Sequence, residues 1–233
     1  MKCLMIIPAY NEAENIEKVI DNLNKNYQQY DYVVINDGST DETKKICKKR
    51  NYQVLNLPVN LGIGGAVQTG YRYAREKNYD VAVQIDGDGQ HDVTYLSEML
   101  GIIEREEADI VIGSRFIEKE GFQSSLTRRL GINFLSLLGK VLTGVRIKDI
   151  TSGYRVVNRK FIEIFADDYP LDYPEPEAVV MTVVHGGKIK EIPVIMRERE
   201  KGKSSINVRK SIYYMIKVTL AMFVRRLSLG VRR

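Results

Sequence analysis

The sequence predicts an α/β fold, a mostly parallel central sheet with helices on both faces, followed by a C-terminal amphipathic helix. Three observations carry this. Short apolar runs rich in Val and Ile alternate with stretches of helical periodicity over the first half of the chain. The runs end in Asn, Asp or Gly turns and the following helices open on capping residues, the pattern of βαβ units and so of parallel pairing. The chain has 233 residues, 44% hydrophobic and 28% charged, enough for one sizeable domain with a real core.

Cys3 to Ile7 reads as the first strand, ended by Pro8. Asn11 is placed to cap a helix from Glu12 to about Asn24, with Glu12 and Glu14 in its favourable first turn. Tyr32 to Ile35 is a second strand, stopped by Asn36-Asp37-Gly38-Ser39, and Thr40 or Asp41 caps a helix to about Arg50. Gln53 to Leu57 is a third strand, and Asn60 to Gly65 a loop opening a helix from Ala66 to Lys77. Val81 to Ile85 is a buried strand, Val93 to about Glu106 a helix, and Ile110 to Gly113 a further strand. Beyond Gly113 the pattern changes. Arg128 to about Leu142 is a helix with a long apolar face of Leu130, Phe134, Leu137, Leu138 and Val141. Tyr154 to Val157 and Ile189 to Val194 read as strands, Glu163 to Pro176 as an irregular loop, and Glu177 to His185 as a helix.

The formal charge is +5, yet the seven Arg and Lys residues between Ile206 and Arg233, unaccompanied by Asp or Glu, leave the rest of the chain at −2. Basicity belongs to the tail, and with an acidic body and no aromatic stacking platform the composition argues against nucleic acid as a partner. Cys3 and Cys47 form no CxxC pair and fit buried thiols in a reducing compartment. Met1 to Pro8 is too short and too abruptly polar in its continuation for a signal peptide. No run of about 18 uncharged apolar residues suggests a simple membrane span.

The stretch most suggestive of chemistry is Ile85-Asp86-Gly87-Asp88-Gly89-Gln90, at the strand end where open α/β sheets bind ligands. Two carboxylates and an amide oxygen are hard ligands suited to Mg²⁺ or Mn²⁺ shared with phosphate oxygens. An Asp/Gly surface turn is the alternative. His91-Asp92 suggests a metal hydrolase only weakly, because His185 is the other histidine of the chain. Gly62-Ile63-Gly64-Gly65-Ala66-Val67 approaches a dinucleotide fingerprint, but Val67 stands where the third glycine belongs and the loop follows the third strand rather than the first.

Met5-Ile6-Ile7-Pro8-Ala9-Tyr10-Asn11-Glu12, Val34-Ile35-Asn36-Asp37-Gly38-Ser39-Thr40-Asp41 and Asp86-Gly87-Asp88 resemble, in order and spacing, three motifs of family 2 glycosyltransferases with the GT-A fold. Gly113-Ser114-Arg115 and Thr151-Ser152-Gly153-Tyr154-Arg155 resemble the dolichol- or undecaprenyl-phosphate sugar synthases within that family. The likeness covers roughly residues 2 to 205. It implies a catalytic domain over 1–205 and a basic membrane-associating tail over 206–233.

The resemblance implies roles for the matching residues. Pro8, Ala9, Tyr10, Glu12, Asp37, Asp86 and Gly87 bind the donor nucleotide, with Asp37 accepting from the base and Asp86 facing the ribose. Helix capping is the alternative for Glu12, and turn formation for Asp37. Asp88 is the metal ligand, with Gln90 as its companion and Mg²⁺ or Mn²⁺ as the cofactor. Arg115 with Arg128 or Arg129 clamps the acceptor phosphate, and Asn133 stands four residues after Arg129, where the subgroup more often has serine. Asp149 is either a base or an ion-pair partner. Glu175 and Glu177 are candidates to face sugar hydroxyls, Asn60 and Gly62 to Gly65 flank the donor pocket and offer amides to phosphate, and Arg199, Lys203 and Ser204 resemble a segment that closes over the donor.

The implied reaction is an inverting, metal-dependent transfer of a hexose from a nucleotide sugar to polyprenyl phosphate, a UDP sugar being favoured over GDP-mannose. Transfer to a hydroxyl of a cell-surface polysaccharide and an inactive donor-binding scaffold are the alternatives. Ile212, Tyr213, Met215, Ile216, Leu220, Phe223, Val224 and Leu227 among basic residues fit a helix lying on an anionic membrane, which places the chain peripherally at the cytoplasmic face. A small membrane protein or a second copy of the chain is the other partner such a helix could serve.

Overall fold

A computed structural model describes residues 1–118, 120–121, 126–196 and 208–230. The first half alternates as expected. β1 (Cys3–Ala9), α1 (Ile16–Asn26), β2 (Asp31–Asn36), α2 (Thr43–Lys49), β3 (Val54–Asn56), α3 (Gly62–Glu76) and β4 (Val81–Gln84) follow one another. A short 3-10 turn, Val93–Tyr95, leads into α4 (Leu96–Glu104), then β5 (Ile110–Ser114) and α5 (Leu126–Thr143). The remainder is β6 (Arg155–Asn158), α6 (Arg159–Asp167), α7 (Pro174–Val184), β7 (Ile189–Pro193) and α8 (Val208–Gly230).

The strands form one sheet in the order β3-β2-β1-β4-β6-β5-β7 among the described residues. Pairs β1–β2, β2–β3, β1–β4 and β5–β7 are parallel, while β6 runs antiparallel between β4 and β5. The sheet is therefore mostly parallel, and the single reversal matters. It brings the residues entering β6 to the edge where β1, β4 and β5 end. Alternate residues of each strand face two apolar layers. Leu4, Ile6, Val33, Ala82, Ile110 and Val157 pack on the side of α3, α6 and α7, and Met5, Ile7, Val34, Val83 and Val156 on the side of α1 and α4.

Four expectations are corrected. Pro8 lies inside β1 rather than ending it. The β1–β4 ladder stops at Ile6–Gln84 with the Ile85 amide on the Ile6 carbonyl, so the edge Pro8 faces needs no donor. Asn11 does not cap α1. Its backbone is left-handed at φ 56°, and its side-chain oxygen accepts from the Thr40 amide at 2.8 Å, so α1 begins only at Ile16 after a turn closed on the Glu12 carbonyl. Glu163 to Pro176 is not a loop, since α6 and the start of α7 occupy much of it. Asn158 caps α6 by accepting from the Phe161 amide at 3.1 Å, and Phe165 packs on Tyr71 and Tyr169 with centroids 5.4 and 5.1 Å away. Pro174 and Pro176 sit in the first turn of α7, where a missing amide hydrogen costs nothing.

The fourth concerns the glycines opening α3. Their amides are engaged within the protein rather than turned to a phosphate: Leu61 donates to Asp37 Oδ1 at 2.7 Å, Gly62 to Asn60 Oδ1 at 3.1 Å and Gly64 to the Leu171 carbonyl at 3.0 Å. A Cβ on Gly64 would meet the carbonyl oxygens of Pro170 and Leu171 at 2.1 and 2.3 Å.

α8, the described part of the basic tail, is seated on the body. Val218 and Met222 of α8 are buried in the same layer as α3 and α6, Tyr214 meets Tyr173 at 4.4 Å edge to face, and Arg225 pairs with Asp168 at 2.6 Å.

Gly64→Ala is expected to cost about 1–3 kcal/mol through backbone overpacking. Gly101→Ala, inside α4 where a Cβ meets only the flexible end of Arg105, is expected to be neutral or to stabilise by up to about 1 kcal/mol. Urea denaturation of the two variants checks the pair.

Candidate active site

The ends of β1 and β2 carry two loops that are stitched to each other before any ligand is considered. Besides accepting from Thr40, Asn11 donates its amide to Ser39 Oγ at 3.0 Å. The Glu12 amide donates to Thr43 Oγ1 and the Ala13 amide to Asp41 Oδ2, both at 3.0 Å. Pro8 and Ala9 are buried, Glu12 is half-buried, and Tyr10 is exposed on the rim. The Glu12 carboxylate accepts from Asn15 Nδ2 at 2.7 Å, so it also serves the entry to α1. Asp37 is buried beneath the α3 terminus. Burial pushes its carboxyl above the ordinary value, while the Leu61 and Gly62 amides pull it down.

The turn after β4 packs directly on this pair of loops. A Cβ on Gly87 would lie 3.1 Å from the Pro8 carbonyl oxygen and 3.6 Å from Glu12 Cγ, so a side chain there would crowd the first loop that the acidic turn packs against. Asp86 is half-buried, and its Oδ1 accepts from Gln84 Nε2 at 3.2 Å. From the other side, Gly153 reaches Asp86. Its Cβ would stand 2.8 Å from Gln84 Nε2 and 3.5 Å from Asp86 Oδ1. Asp88 and Gln90 are half-exposed at the tip, with Asp88 Oδ1 accepting the Gln90 amide at 3.1 Å. The described residues contain no group of three or more His, Cys, Asp or Glu able to cage an ion. What the tip offers is a carboxylate and an amide oxygen, with Asp86 beside them. That set fits Mg²⁺ or Mn²⁺ completing its shell with a diphosphate and water, and not a self-contained zinc site.

Across the pocket, Arg115 leaves the end of β5 and meets Asp149 in a two-pronged pair. Nε to Oδ2 and Nη2 to Oδ1 are both 2.7 Å, and the Arg115 amide adds a third bond to Oδ2 at 3.1 Å. Asp149 is fully buried and Arg115 nearly so. Burial alone would pull the guanidinium down, but the hydrogen bonds and charge of Asp149 outweigh it and raise its pKa. Of the two roles open to Asp149, this is the ion pair. The loop bearing it is held from behind by Glu191, whose carboxylate accepts the Lys148 and Asp149 amides at 2.7 and 2.8 Å. Arg155 is buried too, and its guanidinium donates to the carbonyls of Ser152, Glu175 and Ile150 at 2.7, 2.8 and 2.9 Å.

The start of α5 brings more positive charge. Arg129 stands over the Phe116 ring at 5.5 Å and Arg115 over the same ring at 5.1 Å. Arg128 lies at the rim, where burial and then the charge of Arg115 lower its pKa. Asn133, one turn on, is exposed. Glu175 in the first turn of α7 lies within electrostatic reach of Arg155, Asp86 and Arg115, and burial pushes its carboxyl up. The structure thus gathers Pro8, Ala9, Glu12, Asp86, Gly87, Asp88 and Gln90 on one side, and Arg115, Arg128, Arg129 and Asp149 on the other. Arg199, Lys203 and Ser204 lie outside the described residues.

Four residues around the pocket gain a place from the structure: Gln84 and Tyr214, which carried no expectation, His91, weighed only as half of a His-Asp pair, and Arg155, the last residue of a motif. Tyr214 interacts electrostatically with Glu175 and Arg128, which brings α8 to the pocket's rim. Arg155 closes the Thr151–Arg155 motif and could have been singled out there. Gln84 sits in an otherwise apolar strand, which is a signal in itself.

The family model for glycosyl transferase family 2 matches residues 5–165. An undecaprenyl-phosphate mannosyltransferase of Micrococcus luteus is 31% identical over 216 residues, covering 89% of this chain and 88% of that one. A UDP-N-acetylglucosamine–dolichyl-phosphate N-acetylglucosaminyltransferase of Methanococcus voltae is 30% identical over 210 residues, covering 82% and 83%. Glucosyl-3-phosphoglycerate synthase from Mycobacterium tuberculosis, solved with Mn²⁺ and UDP-glucose, superposes with a TM-score of 0.71 at 20% identity, covering 97% of this chain and 78% of that one.

Asp149→Asn leaves Arg115 buried without its counter-charge and is expected to cost about 3–5 kcal/mol. Replacing both partners with apolar residues of similar volume is expected to recover most of that stability, measured by urea denaturation.

Proposed function

The chain belongs to glycosyl transferase family 2 and is a glycosyltransferase, and on that premise we propose that it transfers a hexose from a nucleoside-diphosphate sugar to polyprenyl phosphate with inversion at the anomeric carbon. The observation that carries this reading is a juxtaposition. A turn with Asp86, Asp88 and Gln90 has Asp86 within electrostatic reach of Arg115; Arg128 and Arg129 adjoin Arg115, and an apolar surface begins where that cluster ends.

That surface belongs to two adjacent helices. Leu130, Phe134, Leu137 and Val141 form one stripe of α5, and all are at least half exposed. Tyr213, Ile216, Leu220, Phe223, Val224 and Leu227 form a stripe of α8 that faces away from the body. α8 is thus apolar on two sides, one packed on the body and one open. Among the described residues no helix is long and apolar enough to cross a membrane. Open stripes with Arg128, Arg129, Lys140 and Arg226 among them suit the interface of an anionic bilayer, where a lipid phosphate would stand beside Arg115. We place the chain at the cytoplasmic face on this basis.

In the proposed mechanism the first two loops hold the base and Asp86 orients the ribose. Asp88 and Gln90 would hold Mg²⁺ or Mn²⁺, which when bound offsets the charge growing on the departing diphosphate. Arg115, fixed in direction by Asp149, and the arginines of α5 position the lipid phosphate for attack from the opposite face. The acceptor oxygen is already anionic, so alignment matters more than proton removal. Transfer to a sugar hydroxyl would need a base, and the bonding of Asp149 to Arg115 disfavours that reading. The intact carboxylate pair disfavours an inactive scaffold.

The relatives' names span mannose and N-acetylglucosamine, so the sugar is a matter for assay; UDP sugars are the first choice. Nucleotide sugars labelled in the hexose are expected to give a chloroform-soluble, mild-acid-labile product with polyprenyl phosphate. Label in a water-soluble polymer would move the assignment to a polysaccharide acceptor. Asp88→Ala is expected to abolish turnover and the Mn²⁺-dependent part of the thermal shift with nucleotide; an unchanged metal response would refute the ligand assignment. Leu137→Glu with Leu220→Glu, both on exposed positions, is expected to leave the melting temperature unchanged and to abolish flotation with anionic vesicles. Continued flotation would remove the membrane from the account, and a loss of self-association instead would identify the stripe as a contact between copies.

A further inference from the structure

We propose that His91 is the positioning residue of the acidic turn, holding Asp86, and through it Asp88, in place before ion and diphosphate arrive. The inference rests on the reading that Asp88 and Gln90 are the ion's ligands. His91 is buried at 7% exposure, and its Nδ1 accepts the Asp86 amide at 3.1 Å. A ring nitrogen that accepts carries no proton, so the ring's proton lies on Nε2, which faces Asp86 Oδ2 at 3.5 Å. One imidazole thereby contacts both the main chain and the carboxylate of the residue five positions earlier, and the turn closes on itself. The Gly89 amide reaches the Asp86 carbonyl at 3.3 Å, with Gly89 at φ 77°, so the closed turn needs glycine there.

The ring is itself fixed. It stacks on Tyr154 with centroids 4.9 Å apart and planes 13° from parallel, and the Tyr154 hydroxyl donates to the Asp92 carbonyl at 3.0 Å. Tyr154 is completely buried. Packing on the α1 side is partial: Gly89 comes close to Val19, and beside that contact lies a cavity of about 190 Å³ lined by Asn15, Val19, Tyr27, Asp88 and His91. Gln84 also holds the Asp86 carboxylate and the first loop packs on Gly87, but among the described residues His91 is the tie that meets Asp86 at both its amide and its carboxylate. Groups that orient a metal's ligands without touching the ion commonly change its affinity by about one to two orders of magnitude.

The test uses two substitutions with opposite losses. His91→Phe keeps a flat ring on Tyr154 and removes both nitrogens, while His91→Asn keeps an acceptor near the Nδ1 position and gives up the stack. Mn²⁺ binding is followed by electron paramagnetic resonance, with and without UDP or GDP, alongside the melting temperature. H91F is expected to weaken nucleotide-dependent Mn²⁺ binding about 10- to 100-fold and to raise the donor KM more than it lowers kcat; H91N is expected to regain most of the loss. Wild-type binding by H91F overturns the proposal. So does an equal loss in both variants that tracks an equal fall in melting temperature, which would mark a packing role. If H91F does not fold, H91N is set against His91→Gln, whose amide mimics Nε2 instead, and equal losses in those two overturn it as well. D88A in the same titration reports on the underlying reading alone: it loses Mn²⁺ whatever His91 does, and if it does not, the ion assignment is at fault.

Discussion

The buried pair of Arg115 and Asp149 is the interaction on which the pocket depends. Two full charges are withdrawn from water there, and such a pair is a poor source of net stability. What it provides is direction. Two parallel bonds fix the plane of the guanidinium, and the third, from the Arg115 amide, locks the end of β5 to the loop entering β6. That loop continues into Gly153, which leans on Asp86, and Tyr154, which supports His91. The cationic side and the acidic side of the pocket are therefore joined through a few residues of one segment.

That junction exists because β6 runs against its neighbours. With β6 parallel, the residues preceding it would emerge at the opposite edge, and Asp149 would lie a strand's length away from Arg115. The antiparallel insertion also explains why Arg155 donates to three carbonyls. The backbone that turns into β6 leaves the Ile150 and Ser152 carbonyls without ladder partners, and the same guanidinium reaches on to the Glu175 carbonyl in the first turn of α7.

α8 changes the meaning of the basic tail. Its inner face completes the layer over α6 and α7 through Val218 and Met222, and its outer face stays apolar. One helix thus both closes the fold and offers a surface. Tyr214 sits between these two tasks, beside Glu175 and Arg128, so a change in how α8 is seated would be felt at the pocket.

The sequence by itself determined the α/β class, the order of most elements and the residues at the strand ends. Those features rest on local chemistry: β-branched runs, turn residues and glycines between carboxylates act over a few positions. The family followed from motifs of the same local kind. The direction of β6, the existence of α6, the seating of α8 and the partners of Asn11, Asp149 and His91 were decided only by tertiary structure. Asn11 meets residues 28 to 30 positions away, and Arg115 meets Asp149 across 34. α6 is held by an aromatic cluster in which Phe165 meets Tyr71 of α3, far back along the chain. A side chain that satisfies a distant backbone group leaves no periodic trace along the chain, so only the folded arrangement reveals which of its bonds is made.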